Sequence, residues 1–413
     1  MERKNALSVA FYSAFALQSA AQAIIWQFVT YFLKHDIRVD SFLLLTFAWV
    51  APAIMTMLAV NFWGWFSDGM KKRKVFMLVG FIGYAGTFFL TSFVRTYTEY
   101  IMVTFFGAFF SAAALPVGQA YLTTDTEKKG ERLGYFLAAQ SFGWFFGAFG
   151  SGFLYDIVGM YTLYQVSAII GIGAFAICLV FIRDTIPKET QVGPKVGYRE
   201  LFRKPGLGRL TVAAGFSSLG INSISFLLAI LIVDELHGAP SYVGLANSAA
   251  TIIAVVITGY IGKVIDRRGP VRILIVAYFS YVIFAIGFAL VDNAVAATIM
   301  WALPIYPLSS TAAFTFASLV SEEGERGKAM GLISGAQNAG SALGPIIGGL
   351  AAEFIFLRVQ PISWINMIFN LLALIIAITM IKIGKELREK KGIHEVEVIP
   401  PTPPRGDIFP PTP

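Results

Sequence analysis

The feature that most constrains this chain is a series of twelve uninterrupted apolar stretches, each about 20 residues long, separated by short polar segments. A helix of that length crosses roughly 30 Å of hydrocarbon, so every stretch is a candidate membrane span. Lipid cannot satisfy backbone polar groups, and the stretches lack the two-residue alternation of a membrane barrel, so the spans are predicted to be helices. Their cores are predicted at residues 7–33, 41–66, 75–94, 100–122, 133–155 and 161–182, then 210–233, 241–262, 273–291, 295–320, 329–352 and 362–381. The fold class that follows is an all-α membrane protein of twelve transmembrane helices. Only 14% of residues are charged against 56% hydrophobic, which leaves no soluble basic face to present the net charge of +7 to nucleic acid.

The charge belongs to topology instead. An even number of spans places both termini on one side, and 28 of the 32 Lys and Arg residues fall there; only Lys34, Arg38, Arg95 and Arg358 fall on the other. The positive-inside rule then puts both termini and the long middle loop in the cytoplasm of a multi-pass cell-membrane protein. That loop, residues 183–209, carries Pro187, Gly193, Pro194, Gly197, Pro205 and Gly206 among seven basic residues. It reads as a membrane-surface connector between an N-terminal six-helix bundle, 1–182, and a C-terminal one, 210–381. Residues 382–413 form a cytoplasmic tail, charged to Lys391 and proline-rich from Pro400, and the Arg405-Gly406-Asp407 triplet in it is a chance match to an adhesion tripeptide. The first apolar run follows Arg3 and Lys4 without a small-residue cleavage pattern and is expected to remain as a span. Cys178 is the one cysteine, so no disulfide framework or metal cluster is available, and no cofactor is expected. The modest loops point to a monomer whose partners are membrane lipids and a small-molecule substrate.

An internal repeat relates the two halves. At an offset of 197, Gly130, Gly134, Gln140, Gly143, Gly147 and Gly152 fall on Gly327, Gly331, Gln337, Gly340, Gly344 and Gly349, while Lys129 meets Arg326 and Asp156 meets Glu353. At an offset of 198, Gly64 and Asp68 fall on Gly262 and Asp266. Parallel duplication of six-helix units is one of the known organisations of secondary transporters.

The run Gly262-Lys263-Val264-Ile265-Asp266-Arg267-Arg268-Gly269 resembles the Gly-x-x-x-Asp-Arg-x-Gly loop signature of the major facilitator superfamily. Its first-half copy keeps Gly64, Asp68 and the basic cluster ending at Arg73, without the arginine and second glycine at their usual places. The resemblance implies that Asp68 faces the start of span 11 and Asp266 the start of span 5, closing the cytoplasmic side. Lys129 and Arg326 join this gating set. A carboxylate beside a helix N-terminus gains about 0.3–1 kcal/mol, enough to bias a balanced equilibrium; the alternative is that these charges only set topology. In span 11, Gly340, Gly344, Pro345, Gly348 and Gly349 resemble the glycine-rich motif that drug:proton antiporters of the superfamily carry in span 5. The span 5 copy here, with Gly143 and Gly147, has Ala148 in place of the proline. Small residues four apart let helix backbones approach, and proline permits bending, so both runs are read as packing or hinge elements.

No Asp, Glu, Lys, Arg or His falls inside the predicted cores, and the arginine those antiporters carry in span 4 has no equivalent. If protons are coupled, the candidate carboxylates are Asp36, Asp156 and Glu353 near the outer ends, with Glu99 beside them. Spans 1, 4, 7 and 10, which line the central cavity in the superfamily, carry Gln18, Gln22, Trp26, Gln119, Asn222, Trp301 and Tyr306; spans 5, 8 and 11 add Gln140, Trp144, Asn247, Gln337 and Asn338. Amides in hydrocarbon need partners, so these line a cavity or join helices. As a set they predict a neutral, aromatic-rich cavity suited to uncharged or amphiphilic molecules. The leading expectation is therefore an alternating-access exporter, the drug:proton antiporter branch being the nearest in motif. An uptake permease or uniporter for a neutral solute is the second, and a non-transporting receptor the third. No catalytic cluster or nucleotide-binding glycine loop suggests an enzyme or an ATP-driven pump.

Overall fold

The computed structural model describes residues 2–70, 72–123, 129–183, 197–322 and 325–390, which form helices and no strand. Among these residues, nine helices are long and apolar enough to cross a membrane. Three features of the chain resolve twelve spans. Helix Arg132–Phe181 is 50 residues long, double what a span needs, and turns at Gly159 (φ 72°, ψ 167°). Leu207–Ser225 and Leu228–Glu235 are one span bent by 47°. Ile362–Ile378 is the last, at 17 residues.

In chain order α1 is Val9–His35, α2 Phe42–Ser67, α3 Lys74–Thr91 and α4 Tyr97–Leu122. The parts of Arg132–Phe181 before and after Gly159 are α5 and α6, and the bent pair is α7. Then follow α8 Pro240–Arg268, α9 Pro270–Leu290, α10 Ala294–Val320, α11 Arg326–Phe356 and α12 Ile362–Ile378. Local chemistry sets several ends. Thr96 and Glu99 form a reciprocal capping box at the start of α4, and Asn293 caps α10 through the Ala296 amide at 2.8 Å. Gly269, at φ 82°, ends α8 and begins α9 in one residue, a backbone shape closed to residues with a Cβ.

Packing repeats the sequence duplication. A Cβ on Gly143 would stand 1.9 Å from the Ala16 carbonyl oxygen, and one on Gly147 2.3 Å from that of Ala20; α1 and α5 touch backbone to backbone. In the second half, Gly340 and Gly344 meet the carbonyl oxygens of Gly215 and Leu219 on α7 in the same way, at 2.5 and 2.7 Å. Ser19 Oγ donates to the Gln140 carbonyl (2.8 Å) and Ser218 Oγ to that of Gln337 (2.7 Å). Helices in lipid have no hydrophobic drive to associate, so close van der Waals approach and such hydrogen bonds hold each half together. Near the chain termini the first half has a core of its own, with Phe11, Phe15, Phe81 and Phe136 fully buried. Away from the termini, Phe28, Phe32 and Leu45 share one core with Phe226, Leu227 and Leu231 of the second half.

Candidate functional site

Four spans are interrupted in mid-course: α1 at Gln27 and Phe28, α4 at Ala112 and Ala113, α7 at Phe226 and Leu227, and α10 between Ala302 and Pro304. These are the four that the sequence resemblance places around a cavity. The breaks in α1 and α7 are equivalent under the repeat. An interruption frees backbone groups that need partners inside a membrane, and side chains supply them here. Thr30 Oγ1 donates to the Phe226 carbonyl at 2.7 Å, joining the breaks of α1 and α7. Trp63 Nε1 donates to the Phe109 carbonyl at 2.6 Å, just before the break in α4.

The halves meet at the end away from the termini. Gln27, in the α1 break, donates through Nε2 to the Ala148 carbonyl of α5 at 2.9 Å, and its Oε1 accepts from Asn247 Nδ2 of α8 at 3.1 Å. Asn247 Oδ1 accepts from Trp301 Nε1 of α10 at 3.3 Å, so four helices share one neutral network. Trp26 packs on Trp49 (4.3 Å between ring centroids), which reaches Phe226 of the other half. Further out, Lys34 Nζ lies 2.6 Å and His35 Nε2 2.9 Å from the Asp234 carboxylate. Glu353 accepts from Ser41 Oγ at 3.0 Å and from the Phe42 amide at 2.6 Å. Asp36 stands beside this cluster in a loop, where burial raises its carboxyl above the usual range against the opposing pull of the Tyr155 hydroxyl and His35.

Toward the termini the halves part. A Cβ on Gly64, Gly262, Gly327 or Gly331 would meet nothing within 4 Å. Trp65 and Tyr260 are 73% and 69% exposed. Asp266 and Arg267 are exposed, and Asp266 has no hydrogen-bond or ion-pair partner among the described residues. Arg73 is buried and donates to Ser67 Oγ at 3.2 Å, while Arg326 is exposed at the start of α11. The side chains of Asp68 and Lys129 lie outside the described residues, as do residues 184–196 of the middle loop and 391–413 of the tail. Lys204, following the short helix Tyr198–Arg203, pairs with Glu325 just ahead of α11. That hydrogen bond, with the Glu322 amide, holds the Glu325 carboxyl below the usual range.

The polar residues expected to face a cavity divide into two sets. Gln18 is buried against Tyr84 of α3. Asn222 donates to the Ser218 carbonyl at 2.8 Å and to Ser341 Oγ at 3.2 Å, tying α7 to α11, and Asn247 and Trp301 belong to the network above. Asn222, Asn247 and Trp301 therefore join helices, whereas Gln18 is buried with its Oε1 unpartnered among the described residues. By contrast, Gln22, Gln140, Trp144 and Gln337 are half-buried, and Trp26, Tyr306 and Asn338 exposed; the amides of Gln22, Gln140, Gln337 and Asn338 bind no protein group among the described residues. Gln119 is half-buried on α4. Between α1 and α5, on the terminus side, lies an open apolar groove of about 560 Å³ bordered by Val9, Tyr12, Ser13, Ala16, Phe142 and Phe146. Among the described residues, only Tyr12 and Ser13 bring polar side-chain atoms to it, and of the predicted residues only Gly143 borders it. Sequence reasoning missed Gln27, Lys34, His35 and Asp234. The one signal for Gln27 was an amide within an apolar run; the ion-pair residues looked like boundary charges.

The family model of the Major Facilitator Superfamily matches residues 11–321 and 306–410. An MFS-type transporter of Methanocaldococcus jannaschii is 25% identical over 297 residues, 68% of this chain and 75% of its own length. The MFS-type transporter YuxJ of Bacillus subtilis is 27% identical over 318 residues, 73% of this chain and 79% of its own. The multidrug resistance protein MdtG of Klebsiella pneumoniae is 25% identical over 253 residues, 58% and 60% of the two chains. Among solved structures, the nucleoside transporter NupG superposes with a TM-score of 0.74 at 12% identity, covering 91% of this chain and 99% of its own. A bacterial homologue of the lysosomal transporter Spinster gives 0.68 at 13% identity, covering 95% and 98%.

Proposed function

The chain belongs to the major facilitator superfamily of membrane transporters, and from that premise we propose that it is an alternating-access exporter of neutral or amphiphilic small molecules. The observation that carries this reading is the set of uncharged, unpaired amides and aromatic rings in the span interiors, beside which the open groove between α1 and α5 is apolar. Unpaired amides (Gln22, Gln140, Gln337, Asn338) and aromatic rings (Trp26, Trp144, Tyr306) offer hydrogen bonds and faces without fixed charge, and the groove between α1 and α5 offers a separate apolar surface. A phosphate or carboxylate substrate would need a fixed cation, and the ionisable residues of the spans lie toward helix ends. Relatives named as multidrug resistance proteins support the same class.

The excess of basic residues on the terminus side supports a cytoplasmic location for both termini; on that reading the closed end faces outward, the parted end inward, and the conformation is inward-open. The N-terminal bundle to residue 182 and the C-terminal bundle from 210 to 381 then rock about the closed end, with residues 183–209 as connector. On closure of the cytoplasmic side, Asp68 and Asp266 meet the starts of α11 and α5, and the open space at Gly64 and Gly262 is filled. Asp266→Asn should enlarge the inward-open population, read as faster modification of cysteines introduced on the cytoplasmic side; unaltered labelling rejects the gate.

Purified protein in liposomes, offered a fluorescent amphiphile with and without a pH gradient, tests the function. Gradient-accelerated transport, slowed several-fold by Gln22→Ala and Gln337→Ala, is the expected result, and Asp36, Asp156 and Glu353 are then the carboxylates to substitute in search of the coupling site. Transport indifferent to the gradient replaces the antiporter with a uniporter. No transport of any amphiphile rejects the exporter.

A further inference from the structure

The two seams that close the outer end are built from repeat-equivalent positions. Offsets of 197 for α5 against α11 and 198 for α2 against α8 pair Asp156 with Glu353, Ser41 with Ala239 and Phe42 with Pro240. On the α2–α11 seam, Glu353 accepts from the Ser41 hydroxyl and from the first amide of α2, at Phe42. On the α5–α8 seam the carboxylate is retained and both donors are lost: Ala239 has no hydroxyl and Pro240 has no N–H. Asp156 is exposed and makes no hydrogen bond or ion pair among the described residues. The contact one layer deeper repeats the contrast. A Cβ on Gly349 would stand 1.8 Å from Thr46 Oγ1, whereas the equivalent pair is Gly152 against Gly244, backbone on backbone. The Gln27 amide bridges α5 and α8 with neutral hydrogen bonds, and the Asp234 ion pair lies on the α1–α7 axis between the seams.

We infer that Glu353 is a positioning residue of the transport cycle, the charged latch of the α2–α11 seam, and that the α5–α8 seam closes by packing without such a latch. The inference rests on the alternating-access reading. A carboxylate on the first amide of a helix forms a charge-assisted hydrogen bond and meets the positive end of the helix dipole. Both contacts exist only while the halves touch, so their energy bears on the balance between inward-open and outward-open states.

Spin labels at Arg38→Cys and Arg358→Cys, on outer loops of opposite halves, report the outer opening by pulsed dipolar spectroscopy in nanodiscs; Cys178 is buried. Glu353→Ala should raise the wide-distance population about tenfold, as loss of a hydrogen bond to a charged group implies. Glu353→Gln should give an intermediate shift, and it carries the test if the alanine variant does not fold. Asp156→Ala should change the population less than about twofold. Ser41→Ala with Phe42→Pro, which copies the other seam, should match Glu353→Ala. Conversely, Asp156→Glu with Ala239→Ser and Pro240→Phe supplies the missing latch and should reverse much of the Glu353→Ala shift. Equal shifts from Asp156→Ala and Glu353→Ala overturn the assignment, as does an unmoved Glu353→Ala when Gly152→Val opens the gate. If no variant, Gly152→Val included, populates a wide state, alternating access itself fails.

Discussion

At Gly143 and Gly64 the same residue type has opposite roles, and valine separates them. The space for a Cβ on Gly143 is occupied by the Ala16 carbonyl, so Gly143→Val must push α5 off α1; overpacking of that kind costs about 1–3 kcal/mol and should lower the melting temperature in detergent. Gly64 faces open space in this conformation. Gly64→Val should therefore melt like the native protein yet transport poorly, because the space is needed only when the cytoplasmic side closes. A Gly64→Val protein that transports normally would remove Gly64 from the gate. The glycine rows were legible because small residues four apart have one common use in a membrane, and the repeat marked them twice. The uses of Asn222 and Asn247 were not, since an amide that ties two helices and one that faces a cavity have the same letter and the same periodicity. Glu353 was visible only as a carboxylate near a span end; its partner Ser41 lies 312 positions away in the chain.

Helix lengths followed from hydropathy, but the interruptions in α1, α4 and α7 did not. None of the three has glycine or proline at its break, and the freed carbonyls of Phe109 and Phe226 are satisfied by Trp63 and Thr30, contacts that exist only after packing. The α5–α6 turn rests on one residue. Gly159→Ala must hold φ near 72° with extended ψ, a region essentially reserved for glycine, and should cost about 1–3 kcal/mol, read as a lower unfolding midpoint. The Lys204–Glu325 link has a pH signature. Its carboxyl is held below the usual carboxylate range by the Lys204 hydrogen bond, so the link is complete above that range and is lost only as pH falls through the lowered value. Hydrogen exchange in Tyr198–Arg203 should be protected at neutral pH and accelerate at strongly acidic pH; Glu325→Gln should abolish that pH step.

For the whole molecule, the two ends impose contrary demands on one pair of rigid halves. The end away from the termini, outer on the proposed reading, is closed by contacts that leave no room for a Cβ at Gly152 or Gly349, and the terminus end, inner on that reading, has open space at Gly64, Gly262, Gly327 and Gly331. A wedge at either end should therefore favour the opposite closure. A Cβ on Gly152 would stand 2.8 Å from the Gly244 Cα, while the packing within each half, through Gly143, Gly147, Gly340 and Gly344, does not involve this contact. Gly152→Val should leave each half folded and prevent the outer end from closing, so the protein should rest outward-open, accept substrate or inhibitor from outside and fail to complete a cycle. An impermeant thiol reagent applied from outside should modify a cysteine replacing Phe226, 3% exposed in this conformation, much faster in the Gly152→Val background than in the native one. The same reagent should lose access when Gly64→Val is combined with native Gly152, because the inner end then cannot close and the outer end stays shut. Equal labelling in all three backgrounds would mean that the halves do not rock about the Gly152–Gly244 contact, and the pseudo-symmetry of the seams would then belong to assembly of the bundle rather than to transport.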